Sequence, residues 1–276
     1  VKPLDNSIIL EIAGGTGNGK SAETPAADLD TVIKQINADG LVVGDTANVY
    51  VMQDATCNTA GNAHGMAYMM ATAGTLTSHM AEIVVQSYDE SANYLTFSNT
   101  LGTQQAINLA GPMSIKNIKI VAPNSNSYFN LNAGNIKFLE GTTYGYATGN
   151  ATPYGVSDFN KLPVSLAHSQ QGGIAYNDDS NVVFENAFND NLVISTYLPS
   201  RTINYKKNLN IEFNNPDIAA QLTWGSTNAY SPVNVTGNLN VNIKSANTIA
   251  NVAGSGKLTV YGGIQIINNG ATVSGD

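Results

Sequence analysis

A short phrase recurs along the 276-residue chain: asparagine, an aliphatic residue, one variable residue and a second large apolar residue. The copies begin at Asn117, Asn135, Asn181, Asn208 and Asn238, and a weaker copy begins at Lys257. Successive starts are separated by 18, 46, 27, 30 and 19 residues. We interpret the gap of 46 residues as two units, which gives a mean period of about 23 residues. Short alternating strands at such a period, separated by polar turns, predict a β-solenoid.

Stacking would let these short strands bury their apolar residues. A strand of about three to five residues cannot cover its own apolar face, whereas stacked coils share a core and pair their backbones at about 4.8 Å. Asparagine at a repeated place can form a side-chain ladder, and it tolerates left-handed backbone at bends. We therefore predict one all-β domain over residues 1–276, a single-stranded right-handed parallel β-helix of roughly eight to ten coils.

A helical pattern near the N-terminus is expected to cap the first coil. The apolar residues at helical spacing are Leu29, Val32, Ile33 and Ile36. Because the exposed edge of a stack needs cover, we assign residues 1–52 to an N-terminal cap and the first strands. Residues 141–177 interrupt the rhythm with tyrosines among glycines and prolines, and we predict a loop insertion there.

The composition narrows the class of partners. Charged residues make up 12% of the chain, the net charge is −8, and eleven lysines accompany a single arginine, Arg201. Without a basic stripe the chain is not expected to bind nucleic acid. No apolar run of about eighteen residues occurs, so no membrane span is expected. Since the chain starts at Val1 and ends at Asp276 just after a strand-like phrase, we expect a monomeric fragment of a longer protein.

Three segments near the N-terminus carry a family resemblance. Residues 14–25 read GGTGNGKSAETP, residues 29–33 read LDTVI, and residues 44–51 read GDTANVYV. Together they resemble the opening of right-handed parallel β-helix domains of the pectate-lyase-like superfamily in bacterial secreted and surface proteins. In those domains a GG-GDG-S-P loop precedes a capping helix and a GD-VYV first strand. The resemblance implies the fold and an extracellular or cell-surface location, but it implies no activity, because many such domains are adhesins or scaffolds.

Residues 14–21 also fit the phosphate-binding pattern GxxxxGK[ST]. Pro25 falls where the helix that follows such a loop would run. The rest of the chain lacks the alternating strands and helices of a nucleotide-binding sheet. We therefore interpret this segment as a solvated loop.

The weak catalytic candidates are Asp178, Asp179 and Arg201. Polygalacturonase-like β-helices use clustered aspartates as acid and base, but adjacent residues of a strand point to opposite faces. The Gly-His-Gly and Arg-Ile-Lys signatures of those families are missing. A lyase would need a base such as Arg201 and often Ca²⁺ held by carboxylates. The carboxylates are dispersed without calcium-loop spacing, so we predict no metal site and no cofactor, and Ca²⁺ enters only if the chain is a lyase.

Aromatic residues are the candidate ligand-binding residues, because flat rings bind the apolar face of a pyranose. The candidates are Tyr144, Tyr146, Tyr154, Trp224 and Tyr230. The other interpretation of each is packing against the flank of the coils. We predict a non-enzymatic module of a bacterial cell-surface protein, an adhesin or stalk that contacts a glycan or a host surface. The alternative function is that of a polysaccharide lyase or glycoside hydrolase, and a third is a purely structural spacer.

Overall fold

A computed structural model shows an all-β protein with parallel sheets and almost no helix among its described residues. The structure describes residues 7–10, 16–21, 23–26, 31, 32, 35, 46–57, 65, 66, 82–97, 106–109, 113–122, 128–131, 135–147, 153, 154, 164, 165, 174–176, 179–185, 192–195, 203–214, 220–223, 233–243, 249–251, 258–268 and 272–274.

The strands are short, as expected from the length of the recurring phrase. In the first half of the chain they are β1 (Ser7–Leu10), β2 (Thr46–Val51), β3 (Ala55–Cys57), β4 (Gly65–Met66), β5 (Glu82–Ser87), β6 (Asn93–Phe97), β7 (Ala106–Leu109), β8 (Met113–Lys116), β9 (Ile118–Ala122), β10 (Tyr128–Leu131), β11 (Asn135–Phe138), β12 (Thr143–Ala147) and β13 (Pro153–Tyr154). In the second half they are β14 (Val164–Ser165), β15 (Ile174–Tyr176), β16 (Ser180–Phe184), β17 (Leu192–Ser195), β18 (Ile203–Tyr205), β19 (Leu209–Phe213), β20 (Ala220–Thr223), β21 (Val233–Val235), β22 (Leu239–Ile243), β23 (Ile249–Asn251), β24 (Leu258–Val260), β25 (Ile264–Asn268) and β26 (Thr272–Ser274).

These strands form four sheets. Sheet A has the order β1-β2-β5-β8-β11-β16-β19-β22-β25, sheet B β13-β12-β9-β6-β3, sheet C β26-β23-β20-β17-β14-β10-β7-β4, and sheet D β15-β18-β21-β24. Every pairing in the described part of the chain is parallel except the pairing of β12 with β13.

The chain visits the sheets in a repeated order. We call the segment from one strand of sheet A to the next a coil. Coils that begin at β2, β5 and β8 pass through sheets A, B and C, and those that begin at β16, β19 and β22 pass through sheets A, C and D. The coil that begins at β11 passes through all four sheets. This topology is compatible with the predicted β-solenoid.

The coils are unequal in length, and one sequence interpretation is wrong. Asn135 pairs directly with Asn181, so the gap of 46 residues is one long coil and not two units. The next coils advance by 29 and 30 residues. Nor does the phrase mark one fixed position, because Asn117 precedes a strand of sheet B whereas Asn135 begins a strand of sheet A.

Part of the predicted insertion at 141–177 follows the path of the coil. Its described residues contain β12 in sheet B, β14 in sheet C and β15 in sheet D, and all three pair with neighbouring coils in parallel. The strand β13 differs, since it folds back on β12 as an antiparallel hairpin at the edge of sheet B.

The N-terminal helical pattern is described at three residues. Thr31, Val32 and Gln35 have helical backbone, and the Val32 side chain is fully buried. They are the only helical residues in the described part of the chain. The capping role of this segment and the right-handed sense of the coils stay predictions.

Much of the core lies on the inner face of sheet A, where alternate residues of β2, β5, β11, β16 and β19 are buried. Buried residues of sheets B and D, such as Leu95, Tyr144 and Val235, also belong to it. Partners in register form one continuous inner column: Val49, Val85, Ile115, Phe138, Phe184 and Phe213. The three phenyl rings stack nearly parallel, with centroids 5.0 Å and 5.5 Å apart. Because the Phe184 ring packs against a ring of the coil on either side, the column ties these three coils together.

Replacing the middle ring of this column should destabilise the whole stack. For Phe184→Ala we expect a loss of about 3–5 kcal/mol in the free energy of unfolding, because a cavity opens between two stacked rings. Urea denaturation followed by circular dichroism measures this loss. Val183→Ala is the matched control, since Val183 points to the outer face of the same strand and should cost under about 1 kcal/mol. Equal losses in the two variants would contradict the role of the column.

Candidate functional site

The outer face of sheet A carries a ladder of asparagine side chains. The Nδ2 atoms of Asn181, Asn210 and Asn240 each donate to the Oδ1 atom of the asparagine one coil earlier, at 2.7, 2.9 and 2.8 Å. The ladder begins at Asn135, and a shorter ladder in sheet D joins Asn234 to Asn204 at 3.0 Å. The predicted asparagine ladder is therefore confirmed. It gives this face a regular row of amides at the spacing of paired strands.

A second ladder runs through the turns that lead into sheet A. The Oδ1 atom of Asp179 accepts from the backbone N–H of Asn208 at 3.1 Å. The Oδ1 atom of Asn208 accepts from the N–H of Asn238 at 2.8 Å, and that of Asn238 accepts from the N–H of Gly263 at 2.8 Å. The catalytic candidate Asp179 is thus an exposed carboxylate that caps the next turn of the stack. Asp178 and Arg201 lie outside the described residues.

Left-handed backbone occurs at the turns between sheets A and B. Asn117 has φ = 50° and Gly141, one coil later, has φ = 80°. The Asn117 side chain donates from Nδ2 to the carbonyl oxygen of Glu90 at 3.1 Å. The backbone N–H of Asn117 donates to the carbonyl oxygen of Glu140 at 3.1 Å. A Cβ at Gly141 would lie 2.8 Å from the Asn117 Oδ1 atom, so glycine suits this position on steric grounds as well. The prediction that asparagine serves at left-handed bends is confirmed here.

The glycine-rich loop is closed by backbone hydrogen bonds to Thr24 and Pro25. The N–H of Gly17 donates to the carbonyl oxygen of Pro25 at 3.0 Å, and the N–H of Gly19 donates to that of Thr24 at 2.9 Å. These two amides therefore do not face an anion, which agrees with the interpretation of a solvated loop. The pKa of Glu23 is lowered by a hydrogen bond from the backbone and by one from Ser21. The carboxylate form of Glu23 thus favours the folded loop, and this contribution is lost as the pH falls through the lowered pKa.

The structure separates the predicted binding residues into three groups. Tyr144 is 4% exposed and belongs to the core, where burial raises the pKa of its phenol, so this ring does not face a ligand. Tyr146 and Tyr154 are direct cross-strand partners in the hairpin β12–β13. Trp224 and Tyr230 lie outside the described residues.

Sequence reasoning missed three other aromatic residues. Tyr50 and Tyr88 meet on the outer surface with ring centroids 6.1 Å apart and planes at 86°. Tyr94 lies below the Lys119 ammonium, whose nitrogen is 4.9 Å from the ring centroid. Residues 46–51 alternate strictly, and because Val49 and Val51 point inward, the sequence could have predicted that Tyr50 points outward. The contact with Tyr88 depends on the register between two coils, so the residues around Tyr50 could not predict it.

Within the described ranges, no three side chains of His, Cys, Asp or Glu come together as metal ligands. A search of the same residues found no helix with the length and apolar character that crossing a membrane requires. No family model, no curated protein and no solved structure matches this chain.

Breaking the asparagine ladder should lower stability without unfolding the chain. Asn210→Ala removes the middle amide and leaves Asn181 and Asn240 each without one partner, so we expect a loss of about 1–3 kcal/mol. Thermal unfolding followed by circular dichroism measures it. Asn242→Ala is the control, because Asn242 lies on the same outer face outside the ladder and should change stability by less than about 0.5 kcal/mol. If Asn242→Ala costs as much, the ladder has no special role.

Proposed function

We propose that this chain is a non-catalytic, extracellular module of a bacterial cell-surface protein, an adhesin or stalk element that binds glycan. In this proposal the fold is a right-handed parallel β-helix of the pectate-lyase-like type, and the helical segment around Val32 caps its first coil. The partner is a glycan of a host or cell surface.

One observation carries the proposal. Of the five aromatic residues selected from the sequence, Tyr146 and Tyr154 become direct partners across the hairpin β12–β13. Cross-strand partners occupy the same face of a hairpin. The hairpin leaves the parallel order of the coils at the edge of sheet B, so positions 146 and 154 are neighbours on an element outside that parallel order. Paired aromatic positions on such an excursion suit sugar recognition.

The rest of the surface supports glycan over other ligands. Asparagine amides form a regular row along sheet A, and carboxamides donate and accept hydrogen bonds as sugar hydroxyls require. The net charge of −8 disfavours polyanionic ligands, so neutral glycans are the better candidates.

A glycan array probed with the purified chain tests the proposal. We expect binding to neutral oligosaccharides, and we expect the double variant Tyr146→Ala/Tyr154→Ala to weaken it by about tenfold or more, as loss of aromatic anchors does. Tyr261→Ala is the matched control, because Tyr261 is 71% exposed on the last described coils and lies outside the hairpin. Isothermal titration with the best glycan of the array gives the affinities.

Two outcomes would redirect the proposal. A chain that retains no glycan on the array would be a structural spacer, and the binding role would be abandoned. Release of unsaturated products from polysaccharide, followed by ultraviolet absorbance, would instead identify a lyase and defeat the non-catalytic assignment. The double variant should melt within about 2 °C of the unmodified chain, which separates lost binding from lost folding.

A further inference from the structure

Two tyrosines form a right-angled corner on the outer surface of the early coils. Tyr50 lies in β2, and Tyr88 directly follows β5, the next strand of sheet A. Their ring centroids are 6.1 Å apart and their planes are at 86°. The N–H of Tyr88 donates to the carbonyl oxygen of Val51 at 2.9 Å, which fixes its backbone against the preceding coil. We call this pair of rings the tyrosine corner.

The rings of the tyrosine corner lie outside the core. Val49 and Val51 on either side of Tyr50 are fully buried, so the Tyr50 ring stands on the opposite face of the strand. Tyr88 is 54% exposed, one of the large apolar side chains most open to solvent among the described residues. More than half of Tyr88 therefore remains in contact with solvent and accessible to a ligand.

Hydrogen-bonding amides lie beside the rings. Gln86 is the register partner of Tyr50, and its Nε2 atom is 3.4 Å from the Oδ1 atom of Asn48. At that length the bond is near the limit for an N–H donor, so exchanging it for a bond to a hydroxyl costs little. Two rings and two amides thus lie close together on β2, on β5 and at the residue that follows β5.

The neighbours of the corner select the kind of ligand. Exposed carboxylates of Asp89 and Glu90 follow Tyr88 directly, which disfavours an acidic sugar by like-charge repulsion. At Tyr94 the chain's own Lys119 lies over the ring, whereas no cation of the described residues lies over the two rings of the corner. Tyr88, which is 54% exposed, is the ring of the corner with the most surface available to a ligand of this class.

We propose that the tyrosine corner, with the amides of Gln86 and Asn48, is a subsite for a neutral pyranose, a hexose or an N-acetylhexosamine. One ring stacks on the apolar C–H face of the sugar while the perpendicular ring forms a wall at its edge. The amides bond the ring hydroxyls. This inference rests on the proposed glycan binding and adds to it a second, independent contact on another part of the surface.

Titration of the full chain with the neutral oligosaccharide that binds best on the array tests the subsite. We expect Tyr88→Ala to weaken binding by about tenfold, because it removes the more exposed ring, and Tyr88→Phe to restore it. Tyr261→Ala, an exposed tyrosine away from the corner, should stay within about twofold of the unmodified chain. Circular dichroism melts of all variants report whether the fold is kept.

The outcomes separate this inference from the proposed function. Glycan binding that is unchanged by Tyr88→Ala but lost in Tyr146→Ala/Tyr154→Ala overturns the subsite and leaves the proposed function standing. No binding by the unmodified chain overturns both. Preference for uronic-acid oligosaccharides over neutral ones overturns the ligand class assigned to the corner. Weakening by Tyr88→Ala and Gln86→Ala with unchanged melting temperatures upholds the subsite.

Discussion

Register between successive strands of sheet A is the constraint on which the rest of this structure depends. Parallel pairing places Phe138, Phe184 and Phe213 directly above one another, so their rings stack inside. Because the side-chain period of a strand is two, a slip by one residue would turn these rings to solvent and bring the neighbouring outer side chains into the core. The apolar column and the backbone ladder therefore specify the same arrangement, and each reinforces the other.

The same register also aligns the side chains on the outer face of sheet A. When the phenylalanines align inside, Asn135, Asn181 and Asn210 necessarily align outside, three residues earlier on each strand, and their amides come within hydrogen-bond distance. The tyrosine corner arises in the same way, since Tyr50 and Tyr88 belong to adjacent coils. A surface made by stacking is stiff, because moving one side chain of a column disturbs the pairing above and below it.

The coils differ in length, and the long coil that begins at β11 contains the hairpin β12–β13. The coil between Asn135 and Asn181 spans 46 residues, yet it keeps the register on both sides. The additional residues include β13, which folds back on β12 as a hairpin, and the strands β14 and β15, which join sheets C and D. Loop length costs little free energy compared with lost pairing, so a stack of coils accommodates a long excursion at one level. That tolerance explains how positions 146 and 154 become cross-strand partners in β12 and β13 while the register of sheet A is kept.

By itself the sequence determined the strand class, the alternation of buried and exposed residues, and the use of asparagine in ladders and at left-handed bends such as Asn117. These properties are local, since they follow from side-chain periodicity and from the backbone preferences of single residues. Only the tertiary structure decided which strands are neighbours. The interval from Asn135 to Asn181 reads as two periods in the sequence, and pairing made it a single coil. Likewise the sequence suggested Tyr144 as a binding residue, yet Tyr144 lies in the core, and nothing local to Tyr88 indicates its contact with Tyr50. Contacts between coils join residues from 22 to 46 positions apart, and no short-range pattern encodes that distance.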